Sequence, residues 1–144
     1  MTPYHIDEGL LEVPGRWEDR SVQVFVEPQP ETGHPTSIVV TREPLNVPLA
    51  RYGEETLRTL SQTLPRFSLL EKKRCTLPPL SGLTLAFQWT REGVRVEQRQ
   101  VIVDYYGKAL TFTSTAPLEH AAQAKDTLQR FVDAVKFRKR MGSA

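Results

Sequence analysis

The imidazole and thiol side chains, the types most often used as zinc ligands, catalytic bases or thiol nucleophiles, number four here: His5, His34, His120 and the single cysteine, Cys75. A zinc site needs such ligands at short, fixed spacings. The three histidines instead fall in an N-terminal tail, in a Pro-rich loop and at a helix start. Cys75 follows Lys72, Lys73 and Arg74. Those charges would favour a thiolate, but no histidine is spaced to serve as its base, so a half-buried structural thiol is expected. The chain also lacks a Gly-rich phosphate loop, a GxSxG elbow and an HExxH pair. The expectation is a protein that is not an enzyme and that holds no metal and no cofactor.

Binding chemistry is better represented. Along the stretch Val94 to Tyr105, one side carries Val101, Val103 and Tyr105, while the other carries Val94, Val96, Gln98, Gln100 and Ile102. A solvated sheet face would hold Lys and Glu, and a core face would exclude two glutamines. Val22, Val24 and Val26 oppose Phe25, and Val39 opposes Ile38 and Val40. Apolar surface with a few neutral hydrogen-bonding groups suits a face that a partner covers intermittently. A helix or loop of the same chain covering that face fits the pattern equally well. On the first reading, Val22, Val24, Val26, Val39, Thr41, Gln98 and Gln100 are expected on an open sheet face away from the helices. Thr41 is included because it shares a side with Val39. Gln62, an amide off the apolar stripe of its helix, is added as a residue that could reach the groove edge.

The elements that must position these residues are legible. Ser21 to Glu27 and Thr36 to Arg42 alternate as strands, separated by the polar, turn-rich segment Glu27 to Pro35. Phe67 to Leu77, Leu83 to Thr90, Val94 to Tyr105 and Ala109 to Thr115 read as four more strands. The last three are joined by tight turns at Arg91-Glu92-Gly93 and Tyr106-Gly107-Lys108, so they should be antiparallel neighbours. A first helix is expected from an N-cap at Asn46, with Leu49, Tyr52, Leu57, Leu60 and Leu64 at helical spacing and Pro65 as its stop. A second is expected from Pro117, with a stripe through Leu118, Ala121, Ala124, Leu128, Phe131 and Val135, about 20 residues long. Each has one apolar side and should lie on the sheet. The fold class is α+β with a mostly antiparallel sheet flanked by helices.

A chain of 144 residues, 39% hydrophobic and 25% charged, suits one domain over residues 1–144. Its apolar runs are three to four residues long, too short for a membrane span. The start has neither the basic nor the apolar region of a signal peptide, and one cysteine forms no internal disulfide, so a cytoplasmic location is expected. The net charge of +2 is uneven. Lys136, Arg138, Lys139 and Arg140 hold four of the 19 basic residues, and the other 15 face 17 acidic ones. That is a basic tail suited to a helix C-terminus, not the basic surface with interleaved aromatics that nucleic acid requires.

The segment Val13-Pro14-Gly15-Arg16-Trp17-Glu18-Asp19-Arg20-Ser21-Val22-Gln23-Val24-Phe25 resembles the opening of the Eag-type chaperones, the effector-associated adaptors of bacterial type VI secretion. Phe67-Ser68-Leu69-Leu70, Gly82 to Trp89, Gln98-Arg99-Gln100 and Leu110-Thr111-Phe112-Thr113 extend the resemblance over nearly the whole chain. The resemblance implies a PsbP-like α/β/α sandwich and a homodimer. It implies a non-enzymatic chaperone that shields the N-terminal transmembrane helices of an effector with a PAAR domain, and helps load it on the spike protein. It further suggests an effector that depletes nicotinamide dinucleotides. The other class kept open is a ligand- or protein-binding accessory module of the PsbP-like fold, unrelated to secretion. Neither reading involves nucleic acid or insertion into a membrane.

Overall fold

The computed structural model describes residues 2–27 and 35–138. The Pro-rich loop with His34, and the end of the basic tail with Lys139 and Arg140, lie outside the described residues. Strands β1 (Thr2–Ile6) and β2 (Gly9–Val13) form a hairpin of their own, which the sequence did not announce: its residues are exposed on both sides and show no alternation. A second sheet holds β3 (Gln23–Glu27), β4 (Thr36–Pro44), β5 (Ser68–Leu77), β6 (Leu80–Arg91), β7 (Val94–Tyr105) and β8 (Lys108–Pro117). Its order is β3-β4-β8-β7-β6-β5, and every neighbouring pair is antiparallel. Helix α1 (Leu49–Thr63) connects β4 to β5, and α2 (Ala121–Ala134) follows β8 through a short 3-10 turn at Leu118–His120. The expected α+β class and antiparallel order of β6, β7 and β8 hold. The turns between them place Glu92-Gly93 and Tyr106-Gly107 at positive φ, where glycine carries no Cβ penalty.

The two helices take opposite faces, which makes the expected α/β/α sandwich. Under α2, Leu128 and Val132 pack with Ile38, Val40, Val101, Val103 and Phe112. On the other face, Leu49, Tyr52 and Leu57 of α1 cover Leu83, Leu85, Ile102 and Ala109. Helix α1 comes very close there: a Cβ added at Gly53 would clash with Leu83 Cδ2, so any larger residue would force Leu83 aside.

Two helix boundaries differ from expectation. The N-cap of α1 is Pro48, with Asn46 two residues earlier and making no cap. Pro48 accepts this place because its extended ψ suits the residue before a helix, and its carbonyl takes the N–H of Tyr52. Helix α2 stops at Ala134 and has no basic residue in its last turn, so the basic tail does not complement its dipole. From Val135 the backbone is extended. Val135 and Phe137 then alternate inward onto the α2 cluster, while Lys136 and Arg138 alternate outward.

Candidate functional site

Strand register places most of the candidate residues on one face, the α1 face. Two parallel rows cross it. The first runs Val24, Val39, Thr113, Gln100, Leu85, and the second runs Val26, Ser37, Thr115, Gln98, Phe87. Thr41 stands beside the first row, opposite Thr111. Each row passes from valine at the β3 edge, through hydroxyl and amide groups on β8 and β7, to a fully buried apolar residue on β6. The apolar end is sealed by α1 and by Phe67, whose ring centroid lies 5.4 Å from that of Phe87. The valine end is open, with Val24 59% and Val26 53% exposed.

The expectation that these residues lie away from both helices therefore needs correcting: α2 is on the far face, but α1 shares theirs. Because both faces of the sheet are apolar, each can bind a helix stripe. Helix α1 lies over the β6 and β7 end and over Ala109 of β8, whose Thr111 and Thr115 are buried as well, so this face opens toward β4 and β3. Beside α1 lies a groove of about 550 Å³, walled by Tyr52, Thr56, Thr59 and Leu60 of α1 and floored by Thr41, Gln100, Thr111 and Thr113. Val22 precedes β3 rather than lying in it, and is 51% exposed. Gln62 is exposed on α1 but is not part of the groove wall.

The two amides differ. Gln98 is tied at both ends: its Oε1 accepts a hydrogen bond from Trp89 Nε1 at 2.9 Å, and its Nε2 donates to Thr115 Oγ1 at 2.8 Å. Gln100 makes no side-chain hydrogen bond among the described residues and borders the groove. It can offer a donor and an acceptor to whatever lies there. Sequence reasoning missed Thr56, Thr59, Thr111 and Thr113. The signals were available: the β8 threonines recur every second residue, and Thr56 lies four positions from both Tyr52 and Leu60, with Thr59 three beyond Thr56.

Charge is concentrated on the opposite face. There Arg99 lies 3.5 Å from carboxylate oxygens of both Glu71 and Glu97, and Lys73 lies 2.9 Å from Glu71. The Lys73 ammonium, followed by Arg99, holds the Glu71 carboxyl below its ordinary range. Near the start of β3, hydrogen bonds from Ser21, then Tyr4, hold the exposed Asp19 carboxyl low as well. Of the side chains considered for chemistry, His5 is exposed on β1, His120 ends the 3-10 turn and Cys75 is half-buried on β5. Among the described residues no helix is long and apolar enough to cross a membrane.

Comparison with known proteins places this geometry in context. Residues 8–134 match the DcrB family. The chain is 31% identical over 138 residues to Effector EagT6 of Pseudomonas aeruginosa, covering 92% of this chain and 96% of that protein. A crystal structure of PA94, a Pseudomonas aeruginosa protein of unknown function, superposes with a TM-score of 0.82 at 25% identity, over 97% of this chain and 99% of that one. The solution structure of cyanobacterial PsbP from Synechocystis sp. PCC 6803 shares the fold at a TM-score of 0.51 and 12% identity, over 83% of this chain and 94% of that one.

Proposed function

The chain belongs to the DcrB family, and on that premise we propose that it is a non-enzymatic, cytoplasmic chaperone of type VI secretion that shields apolar helices of an effector before export. One relative, Effector EagT6, bears the Eag name of the chaperones that the opening segment resembles. The observation that carries the reading is the graded pair of rows on the α1 face, with valines at the open edge and an unpaired amide, Gln100, at the foot of α1. From Val24 to Gln100 a row crosses three strand spacings, about 14 Å. An α-helix with its side chains is about 10–12 Å across, so one helix fits lengthwise beside α1. An apolar helix buries its stripe against the valines. Gln100 and the threonines meet exposed backbone or small polar groups of that helix without the desolvation cost of a charge.

The full reading has the chain as a homodimer, with two such faces holding the N-terminal transmembrane helices of an effector with a PAAR domain. The dimer delivers that effector to the spike protein. An effector that depletes nicotinamide dinucleotides is the specific partner proposed. Two copies would also cover more of the apolar edge at Val24 and Val26 than a monomer should leave bare. The test is co-expression with a candidate effector carrying hydrophobic N-terminal segments. The effector should be soluble only with this protein, and the Val39→Glu variant should fold but fail to hold it. An effector equally soluble without the protein, or held equally by Val39→Glu, overturns the reading. Light scattering tests the dimer: a solution mass near 16.4 kDa is the monomer and counts against it.

A further inference from the structure

The α2 face carries a second opening that the proposed chaperone groove does not use. After Ala134 the chain runs extended, and its alternation builds a slot of about 460 Å³ against β3, β4 and β8. The floor is aromatic and aliphatic, formed by Phe25, Val40, Phe112, Phe131 and Phe137. Phe25 is 49% exposed, and its ring meets Phe131 edge-on at 5.5 Å. The Tyr105 ring lies 5.9 Å from Phe137, and its hydroxyl donates to the Arg138 carbonyl at 2.8 Å, which ties the extended segment to the sheet.

The rim is cationic. Arg42, Lys108, Lys136 and Arg138 border the slot, and among the described residues no carboxylate does. None of the four takes part in an ion pair among the described residues. Arg42 is held by Gln23 Oε1 at 2.5 Å, and the nearby Asp19 carboxylate feels its charge. In sequence, Lys139 and Arg140 follow directly.

We propose that this slot binds an acidic peptide segment of a protein partner, with an aromatic side chain seated on Phe25 and Phe131 and flanking carboxylates on the rim. An incoming ring extends the existing edge-to-face pair. The cations stand on several sides of an open groove. They match carboxylates distributed along a peptide better than the single headgroup of a lipid. The slot and the α1-face groove lie on opposite faces, so both can be occupied at once.

The probe is a short fluorescent peptide that alternates glutamate with phenylalanine, titrated by anisotropy into the full chain. Binding should weaken with added salt, and the double variant Lys136→Glu, Arg138→Glu should lose at least about tenfold in affinity, about 1.4 kcal/mol. Both residues point outward, so the melting temperature should be unchanged. Val39→Glu should bind the peptide normally. Amide shifts on binding should centre on Phe25, Phe131 and Phe137. Equal binding of a peptide with lysine in place of glutamate overturns the proposal. So does an unchanged affinity in the double variant. Saturable binding of laurate with none of the acidic peptide makes the slot a lipid site and likewise overturns it.

Discussion

The α1 face of this sheet is two surfaces at opposite ends of one strand order. At the β6 end, Leu83, Leu85 and Ile102 are at most 4% exposed beneath α1. At the β3 end, Val24 and Val26 stand more than half exposed on the same pleat. Side-chain chemistry barely distinguishes the two ends, since both are branched aliphatics. What differs is the cover, because one helix is narrower than six strands. Apolar alternation in a strand therefore reports a face that must be covered, and not what covers it. In the proposed function, the exposed end is where a partner's helix completes the layer that α1 begins.

The sharpest way to test this contrast is at the sealed end. Leu85→Ala should destabilise the fold by about 2–5 kcal/mol, through lost burial and a cavity beneath α1, read as a lowered denaturation midpoint. A change under about 1 kcal/mol would mean that α1 is loosely seated and that the two ends are less different than described.

At the open end the expected outcome is reversed. Val24→Glu should alter stability by no more than about 0.5 kcal/mol, yet cut effector retention by more than about tenfold, because the new charge would be desolvated against an apolar helix. A large fall in melting temperature would assign Val24 to the core. Normal retention would move the binding surface elsewhere.

Between the two ends, Gln98→Leu breaks the hydrogen bonds to Trp89 and Thr115, at a cost of about 1 kcal/mol each. Gln100→Leu breaks none and should leave the unfolding midpoint nearly unchanged while weakening the effector complex. Equal stability losses from both would show that Gln100 is held within the fold to the same degree as Gln98.

The smallest effect concerns the charged cluster on the far face. Glu71 is held below its ordinary value of 4.5, first by Lys73. A depressed carboxyl contributes stability that is fully present above that ordinary value and is lost as pH falls through the lower folded value. The melting temperature of Glu71→Gln should accordingly fall less than that of the parent protein on acidification below pH 4.5. Parallel declines would show that the ion pair adds nothing.

Much of the fold was legible because local rules agreed. Glycines at Gly93 and Gly107 sit where positive φ is required, and the runs between them alternate, so β6, β7 and β8 could be read with their pairing. The β1–β2 hairpin was not legible, since Ile6, Leu10 and Leu11 are exposed and no face of it is buried to impose a period. The end of α2 was misread because Val135 continues the helical stripe: the same inward residue can be delivered by a helix or by an extended strand, and packing of Val135 and Phe137 on the α2 cluster selects the extended one. Gln62 lies outside the groove wall for a simpler reason. Being off the apolar stripe says that a helical residue avoids the core, not which side of the helix it faces.

By itself the sequence determined which residues share a side, because strand side chains alternate with a period of two whatever surrounds them. Gln98 and Gln100 belong together for that reason alone, as do Val24 and Val26; that the two pairs share one face follows from the strand register. Only the tertiary structure decided that α1 joins them on their face while α2 takes the other. Both faces are apolar and both helices carry one stripe, so the local pattern is equally satisfied by either arrangement. The choice falls to non-local contacts: Gly53 lets α1 approach Leu83, and Leu128 and Val132 seat α2 on Val101 and Phe112. These contacts join residues far apart in the chain, and no local pattern records them.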